Sequence, residues 1–236
     1  MKIKIIAEAS TELERRTIGW GVSFLIGEDL LFDTFSNEDV LRENLKRFNV
    51  NVSQLRYVVI SHEHWDHIGG LWYILRENPS VKTFVCKNFS VEFKEKVRSF
   101  NVDMVEVDEP IEIKENVFTT GEIIGSYANS SLPEQALVVK EDKLTIITGC
   151  AHPGIITMLK RVKEIFPYPI GLVLGGFHLY DKSDDEIYLI VEEFKSLNIE
   201  RVAPCHCTGE RAVKLFQQEF GNSVIKVSTG TILLED

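Results

Sequence analysis

Three of the chain's six histidines lie within six consecutive residues, in the segment SHEHWDHIGG at 61–70. They form a His-x-His-x-Asp-His pattern made of His62, His64, Asp66 and His67. In extended backbone, residues i and i+2 point the same way, so His62 and His64 can bind one metal ion while Asp66 and His67 bind a second. Imidazole and carboxylate ligands together suit Zn²⁺, and also Mn²⁺ or Fe²⁺. The spacing therefore predicts a site for two divalent metal ions.

The other three histidines each follow a predicted strand. His152 comes after LTIITG, His178 after LVLGG and His206 after RVAP, just as His62 comes after RYVVIS. In α/β proteins, binding and catalytic residues collect at the carboxyl ends of strands. All six histidines are therefore candidates for one function.

Alternating strand and helix patterns position these residues. GVSFLIG with LLFDT, and QALVVKEDK with LTIITG, read as hairpins, the second turning at Glu141 and Asp142. An amphipathic helix is expected from near Asn37. Residues 121–134 are the longest stretch without a clear element, and such loops are often functional. The pattern predicts an α/β fold in one domain over residues 1–236, with two halves of similar size.

Composition narrows the functional classes. A net charge of −10 argues against nucleic-acid binding, which rests on phosphate neutralisation. No apolar stretch reaches the roughly 18 residues that span a membrane, and no signal peptide is evident, so a cytoplasmic protein is expected. The spacing of the four cysteines does not suggest a disulfide framework. The expected partner is a small-molecule substrate.

Several segments together resemble the metallo-β-lactamase superfamily. They are HEHWDH, the upstream LLFDT and the late APCHCTG. The segments TGEI, TGCAH, GGFHL and PCHCTG resemble its subgroup of β-lactamase-superfamily-II metal-dependent hydrolases, which includes an archaeal dihydropterin–ribofuranosylaminobenzene phosphate synthase of methanopterin biosynthesis. The resemblance covers nearly the whole chain. It implies a four-layer αββα sandwich, the metallo-β-lactamase fold, with a binuclear metal centre.

The resemblance also assigns metal ligands residue by residue. It implies that His62 and His64 bind the first metal ion, and that Asp66, His67 and His206 bind the second. The two ions are expected to be Zn²⁺, with Mn²⁺ or Fe²⁺ as alternatives.

The chain departs from the family pattern in its middle. Most relatives have a histidine where TTGE offers Glu122, and a bridging aspartate where this chain reads Thr-Gly-Cys, ending at Cys150. We expect His152 to supply the third ligand of the first metal ion. Ligation by Glu122 and bridging by Cys150 are open alternatives.

Residues outside the ligand set also match. The resemblance implies that Asp33, at the end of LLFDT, hydrogen-bonds a metal ligand; the alternative is a turn or helix-capping aspartate. His178 matches the subgroup, and could bind substrate, protonate a leaving group, add a ligand or bond to backbone. Cys205 and Cys207 flank His206, and this spacing also permits zinc–thiolate binding. In a strand they would share one face, with His206 on the other, and we expect them to be packing residues.

The expected reaction is hydrolysis. A hydroxide bound by the two metal ions would attack a small ester, lactone or phosphoester, with Asp66 orienting the hydroxide and His178 protonating the leaving group. The alternative is a transferase similar to the pterin synthase named above. A third class, a di-metal redox or sensing protein, ranks lower, because such members usually present Glu where this chain has His64 and carry an extra flavin domain.

Overall fold

The computed structural model describes residues 1–234, and they form two compact units. The first unit comprises Met1–Glu109 together with the segment that starts at Ser228, and the second comprises Pro110–Val227. The prediction of a single domain over residues 1–236 stays a prediction.

The first unit contains a seven-stranded mixed sheet. In spatial order its strands are β15 (Ile232–Leu234), β1 (Lys2–Ala9), β2 (Gly21–Ile26), β3 (Leu30–Phe32), β4 (Tyr57–Val59), β5 (Lys82–Cys86) and β6 (Met104–Val107). Strands β15 to β3 pair antiparallel, and β3 to β6 pair parallel. The helices are α1 (Glu12–Thr17), α2 (Glu38–Arg47), α3 (Trp65–Ile68), α4 (Leu71–Glu77) and α5 (Val91–Arg98), with a 3₁₀ turn at Val52–Gln54.

The second unit repeats this plan with a six-stranded sheet. Its spatial order is β14 (Arg201–Pro204), β13 (Ile170–Gly175), β12 (Leu144–Thr148), β11 (Leu137–Lys140), β8 (Val117–Thr119) and β7 (Ile111–Lys114). Strands β12 to β14 are parallel and the others antiparallel. The helices are α6 (Ile155–Ile165), α7 (Asp184–Ser196) and α8 (Glu210–Phe220), with 3₁₀ turns at His206–Thr208 and Gly221–Ser223.

Each unit has its own apolar core between its helices and its sheet. In the first unit, Leu41 and Leu45 of α2 are buried with residues of β3 to β5. In the second unit, one face of α6 and one face of α7 pack with Phe216 of α8. The apolar residues of these helices recur with the period of an α-helix, so each helix packs one face on its sheet. The same sheets contain the strands that precede the histidines.

Most predicted elements are confirmed. Both hairpins form, the second between β11 and β12, and Asn37 caps α2 by accepting hydrogen bonds from the backbone N–H groups of Asp39 and Val40. Strand β1, which has the sequence KIKIIAEA, is not among the predicted elements.

The expectation that residues 121–134 contain no regular element is wrong, whereas their functional role stays a prediction. They form a separate two-stranded hairpin, β9 (Ile123–Tyr127) and β10 (Ser130–Glu134). Its turn residues, Ala128 and Asn129, have φ angles of 48° and 64°, as in a type I′ turn. Because alanine is unusual at such a position, the sequence carries no turn signal there.

Candidate metal centre

The histidine cluster of the first unit begins at the carboxyl end of β4. His62 and His64 follow that strand, with extended backbone at His64, and Asp66 and His67 lie in the short helix α3. The ring centroids of His62 and His67 are 4.1 Å apart, and those of His62 and His64 are 4.7 Å apart. His62, Asp66 and His67 are also buried. Four side chains of metal-ligand type therefore lie together at the end of one strand.

Asp33 organises this cluster from the end of β3. Its buried carboxylate accepts hydrogen bonds from Ser61 N (2.7 Å), Ser61 Oγ (2.7 Å) and His67 Nδ1 (2.6 Å). A carboxylate only accepts, so Nδ1 of His67 carries a proton, and in the neutral ring the lone pair is on Nε2. Asp33 does not cap a helix, since the cap of α2 is Asn37.

Ser61 extends the same control to His62. The Ser61 hydroxyl donates to Asp33 and lies 2.9 Å from His62 Nδ1, so it accepts the proton of that nitrogen. In the neutral ring of His62 the lone pair is therefore on Nε2. One carboxylate thus fixes the tautomers of two histidines.

Close backbone contacts hold the pattern in place. The carbonyl of His67 accepts hydrogen bonds from both N and Oγ1 of Thr34, each at 2.8 Å. A Cβ atom on Gly69 would lie 2.0 Å from the carbonyl oxygen of Ser36, so only glycine permits this approach. Close packing against the backbone therefore explains the glycine at position 69.

Glu63 and Trp65 lie within the histidine pattern but do not belong to its cluster of possible metal ligands. The Glu63 carboxylate accepts hydrogen bonds from N and Oγ of Ser90, at the start of α5. Trp65 is 56% exposed. The role of Glu63 was missed, because its partner is 27 residues away in the chain.

In the second unit, the candidates follow β12, β13 and β14. Ligand atoms of Cys150, His152 and His178 lie within 4.8 Å of one another, and so do those of Cys150, His206 and Cys207. The three members of the second group are buried. Glu122 is half-buried, and no group of possible ligands found in residues 1–234 includes it.

Glu134, at the end of β10, shapes the loop that carries Cys150 and His152. Its buried Oε1 accepts hydrogen bonds from the backbone N–H of Cys150 (2.9 Å) and Ala151 (2.8 Å), and its Oε2 from that of His152 (2.7 Å). Ala151 has a φ of 61°, a left-handed conformation that these bonds hold. Sequence reasoning missed Glu134, because nothing local distinguishes it from a strand residue.

The expected strand geometry at Cys205 and Cys207 is wrong. Strand β14 ends at Pro204, and His206 to Thr208 form a 3₁₀ turn in which His206 has a φ of 50°. Adjacent side chains therefore converge instead of alternating. Cys207 Sγ lies 3.7 Å from the carbonyl oxygen of Cys150.

Charge in this cluster shifts two pKa values. Burial alone would raise the pKa of the Cys207 thiol, but its hydrogen bonds with Cys150 and His178 and the charge of His206 lower it well below the usual range. Burial alone would lower the pKa of His178, but its hydrogen bond to Cys207 and nearby negative charges raise it. The cluster thus favours a thiolate next to an imidazolium.

A cavity of about 580 Å³ lies in the second unit beside His152 and His178. Tyr127 of β9 and Tyr180 form part of its wall, with ring centroids 6.1 Å and 5.2 Å from that of His178. Cavities of about 300–1,000 Å³ are typical of small-molecule sites. The hairpin that contains Tyr127 therefore lines a cavity of ligand size.

The chain resembles known proteins over nearly its whole length. A sequence profile of the metallo-β-lactamase superfamily matches residues 21–206. The 7,8-dihydropterin-6-methyl-4-(β-D-ribofuranosyl)-aminobenzene-5′-phosphate synthase of Methanocaldococcus jannaschii is 29% identical over 261 residues, which cover 90% of this chain and 89% of the synthase.

Solved structures agree. The crystal structure of Tm1679, a metal-dependent hydrolase of the β-lactamase superfamily, aligns with a TM-score of 0.81 and 32% identity, covering 100% of this chain and 99% of Tm1679. YhfI from Bacillus subtilis, a metallo-β-lactamase fold protein, aligns with a TM-score of 0.71 at 14% identity over 99% of each chain, which indicates a shared fold alone.

Proposed function

This chain belongs to the metallo-β-lactamase superfamily, and we propose that it is a metal-dependent hydrolase of a small ester, lactone or phosphoester. The observation that carries the proposal is the cluster of His62, His64, Asp66 and His67, in which Asp33 fixes the tautomer of His67 directly and that of His62 through Ser61. Such control of ring tautomers is what metal-ligating histidines require.

The proposed ligands follow the assignment that the superfamily implies. They are His62, His64 and His152 for one ion, and Asp66, His67 and His206 for the other. The donor types fit Zn²⁺, and also Mn²⁺ or Fe²⁺. When bound, such ions supply a water of lowered pKa and positive charge for the developing oxyanion.

The chain's own residues have distinct proposed roles. The buried carboxylate of Asp66, with Oδ2 3.6 Å from His67 Nε2, orients the attacking water and accepts its proton. His178 provides the proton for the leaving group. Its Nδ1 is buried and has no hydrogen-bond partner among residues 1–234, and the residue lines the cavity described above.

A small-molecule substrate is the proposed partner. The cavity lined by Tyr127, His152, His178 and Tyr180 has a suitable volume. The net charge of −10 disfavours nucleic acid. No helix within residues 1–234 has the length and apolarity that a membrane span requires.

A transferase is the second candidate. It is favoured by the 29% identity with the archaeal synthase, whose name describes a phosphate-bearing product. The two candidates differ in one requirement. A hydrolase turns over with water alone, whereas a transferase needs a second organic substrate.

The test combines metal analysis with one variant. We expect about two equivalents of metal per chain by plasma mass spectrometry, and hydrolysis of phosphoesters or lactones in a substrate screen. Asp66→Ala should lose one equivalent of metal and the hydrolytic activity. Full turnover by that variant would contradict the role of Asp66, and a wild type that binds no metal after reconstitution would exclude the mechanism.

A further inference from the structure

Two tyrosines flank His178 at the cavity of the second unit, and we propose that Tyr127 and Tyr180 select substrates whose scissile group is attached to a planar aromatic ring. Both side chains line that cavity, one from the hairpin of β9 and β10 and the other from the loop after β13. The inference rests on the proposed function, since it names the substrate class of the same site.

The ring geometry leaves aromatic faces for a ligand. The planes of Tyr127 and Tyr180 lie at 82° and 79° to the plane of His178, so neither tyrosine stacks on the imidazole. Tyr127 meets His152 in the same way, at 72°. The two histidine rings adjoin each other, with centroids 4.3 Å apart, and therefore lie on the same side of Tyr127. An edge-to-face contact occupies at most one face of a ring, so each tyrosine keeps a face on which a flat ligand can stack.

Both tyrosines are exposed where they border the cavity. Tyr127 is 45% exposed and Tyr180 is 55% exposed, whereas Phe177, which also lines the cavity, is buried. Partial burial and the nearby Tyr127 raise the pKa of Tyr180, so its phenol is uncharged at neutral pH. A ligand of any shape would remove this apolar surface from water. Only a planar aromatic ring adds the favourable stacking geometry.

Two glycines place the tyrosines. A Cβ atom on Gly125 would lie 2.6 Å from Pro153 N and 2.7 Å from His152 C, so only glycine lets β9 pack directly on the loop after β12. A Cβ atom on Gly209 would lie 2.8 Å from Tyr180 Cα, and Gly209 has a φ of 80°. Closely packed backbone therefore carries both aromatic walls, which lowers the cost of ordering them when a ligand binds.

The competing explanation is that the two tyrosines are ordinary surface residues, since single exposed aromatics are common. Tyr188 of α7 offers a matched control. It is 48% exposed, as the other two are, but it is not among the residues that line the cavity. Ring selection by the cavity should therefore depend on Tyr127 and Tyr180 and not on Tyr188.

The experiment compares two probes with different rings. Phenylphosphonate and cyclohexylphosphonate carry the same anionic group on a planar and a puckered ring, and neither has an ester bond to hydrolyse. Isothermal titration calorimetry on the zinc-loaded full chain should give a Kd for phenylphosphonate that is roughly 3- to 10-fold lower than that for cyclohexylphosphonate. This range corresponds to one aromatic pair beyond its area burial.

Variants assign the preference to the two rings. Tyr127→Leu and Tyr180→Leu keep an apolar side chain without a ring, so each should reduce the ratio of the two Kd values, and the double variant should bring it close to one. Tyr127→Phe and Tyr180→Phe keep the ring and should keep the ratio. Tyr188→Leu should also keep it.

Three results would overturn the proposal. These are equal Kd values in the wild type, no binding of either phosphonate, and a preference that the double leucine variant retains. Hydrolysis of phenyl phosphate and cyclohexyl phosphate is measured in the same samples. Selective binding without hydrolysis of either ester would be a failure of the proposed function and not of ring selection. If a leucine variant does not fold by circular dichroism, the wild-type ratio decides alone.

Discussion

At the scale of single residues, Asp33 links the chain's clearest motif to its fold. It accepts three hydrogen bonds from Ser61 and His67 and thereby sets which ring nitrogens hold lone pairs. The motif and the position of Asp33 were readable from the sequence. The intermediate role of Ser61 was not, because it depends on two strands being adjacent in the sheet.

Replacing Asp33 tests this role. In Asp33→Asn the amide can no longer accept from all three donors, so the His67 ring loses its fixed tautomer. We expect metal affinity to fall by about 10–100-fold, the range seen when such supporting carboxylates are removed. The measurement is competition with a chromophoric zinc chelator.

Ser61→Ala is the matched control for that variant. It removes the hydroxyl that relays Asp33 to His62 and leaves the bond between Asp33 and His67, so its loss of affinity should be smaller. Equal affinity in Asp33→Asn and the wild type would show that the carboxylate is only structural.

At the scale of elements, the loops after the strands needed the structure most. The hairpin of β9 and β10 was predicted as an irregular loop, since its turn uses Ala128 and Asn129 in left-handed conformations without a glycine. The periodic helices were predictable, because their apolar faces are encoded locally. The 3₁₀ turn at His206 was not, because a left-handed histidine has no sequence signature.

Glu134 ties the end of that hairpin to the loop after β12. Glu134→Gln keeps the size of the side chain, but its amide group can accept at one atom only and faces backbone donors. We expect a loss of roughly 2–4 kcal/mol in the free energy of unfolding, because buried N–H groups lose a charged acceptor. Urea unfolding of metal-free protein measures it.

The control for this variant is Glu115→Gln, an exposed residue between β7 and β8. Its unfolding free energy should change by less than about 0.5 kcal/mol. If Glu134→Gln behaved like the control, the three hydrogen bonds would not be what holds the loop.

At the scale of the whole molecule, the metallo-β-lactamase fold predicted from the motifs is confirmed. Local sequence patterns were sufficient to predict this fold, because strands and helices alternate along the chain and the histidine motifs follow the ends of strands. Which segments form the first unit was not predictable from the sequence. Strand β15 pairs with β1 although more than 200 residues separate them in the chain.

Metal removal should be visible in global stability. A ligand that binds only the native state stabilises it by about 2.7 kcal/mol when its concentration is one hundred times its Kd. Chelation should therefore lower the Tm by several degrees, and added Zn²⁺ should restore it. Asp66→Ala should show a smaller drop, because it has lost one proposed ion; an unchanged wild-type Tm would contradict metal binding at these residues.

The pairing of Lys2 with Leu234 has a consequence for biosynthesis. At about 5–20 residues per second, β1 leaves the ribosome roughly 10–50 s before β15 is made. The whole second unit is synthesised within that interval, while β1 has only β2 beside it. An open strand edge invites pairing with other nascent chains, and lysines discourage it. Lys2 and Lys4 lie on β1, where they would protect the unfinished sheet until its last strand arrives.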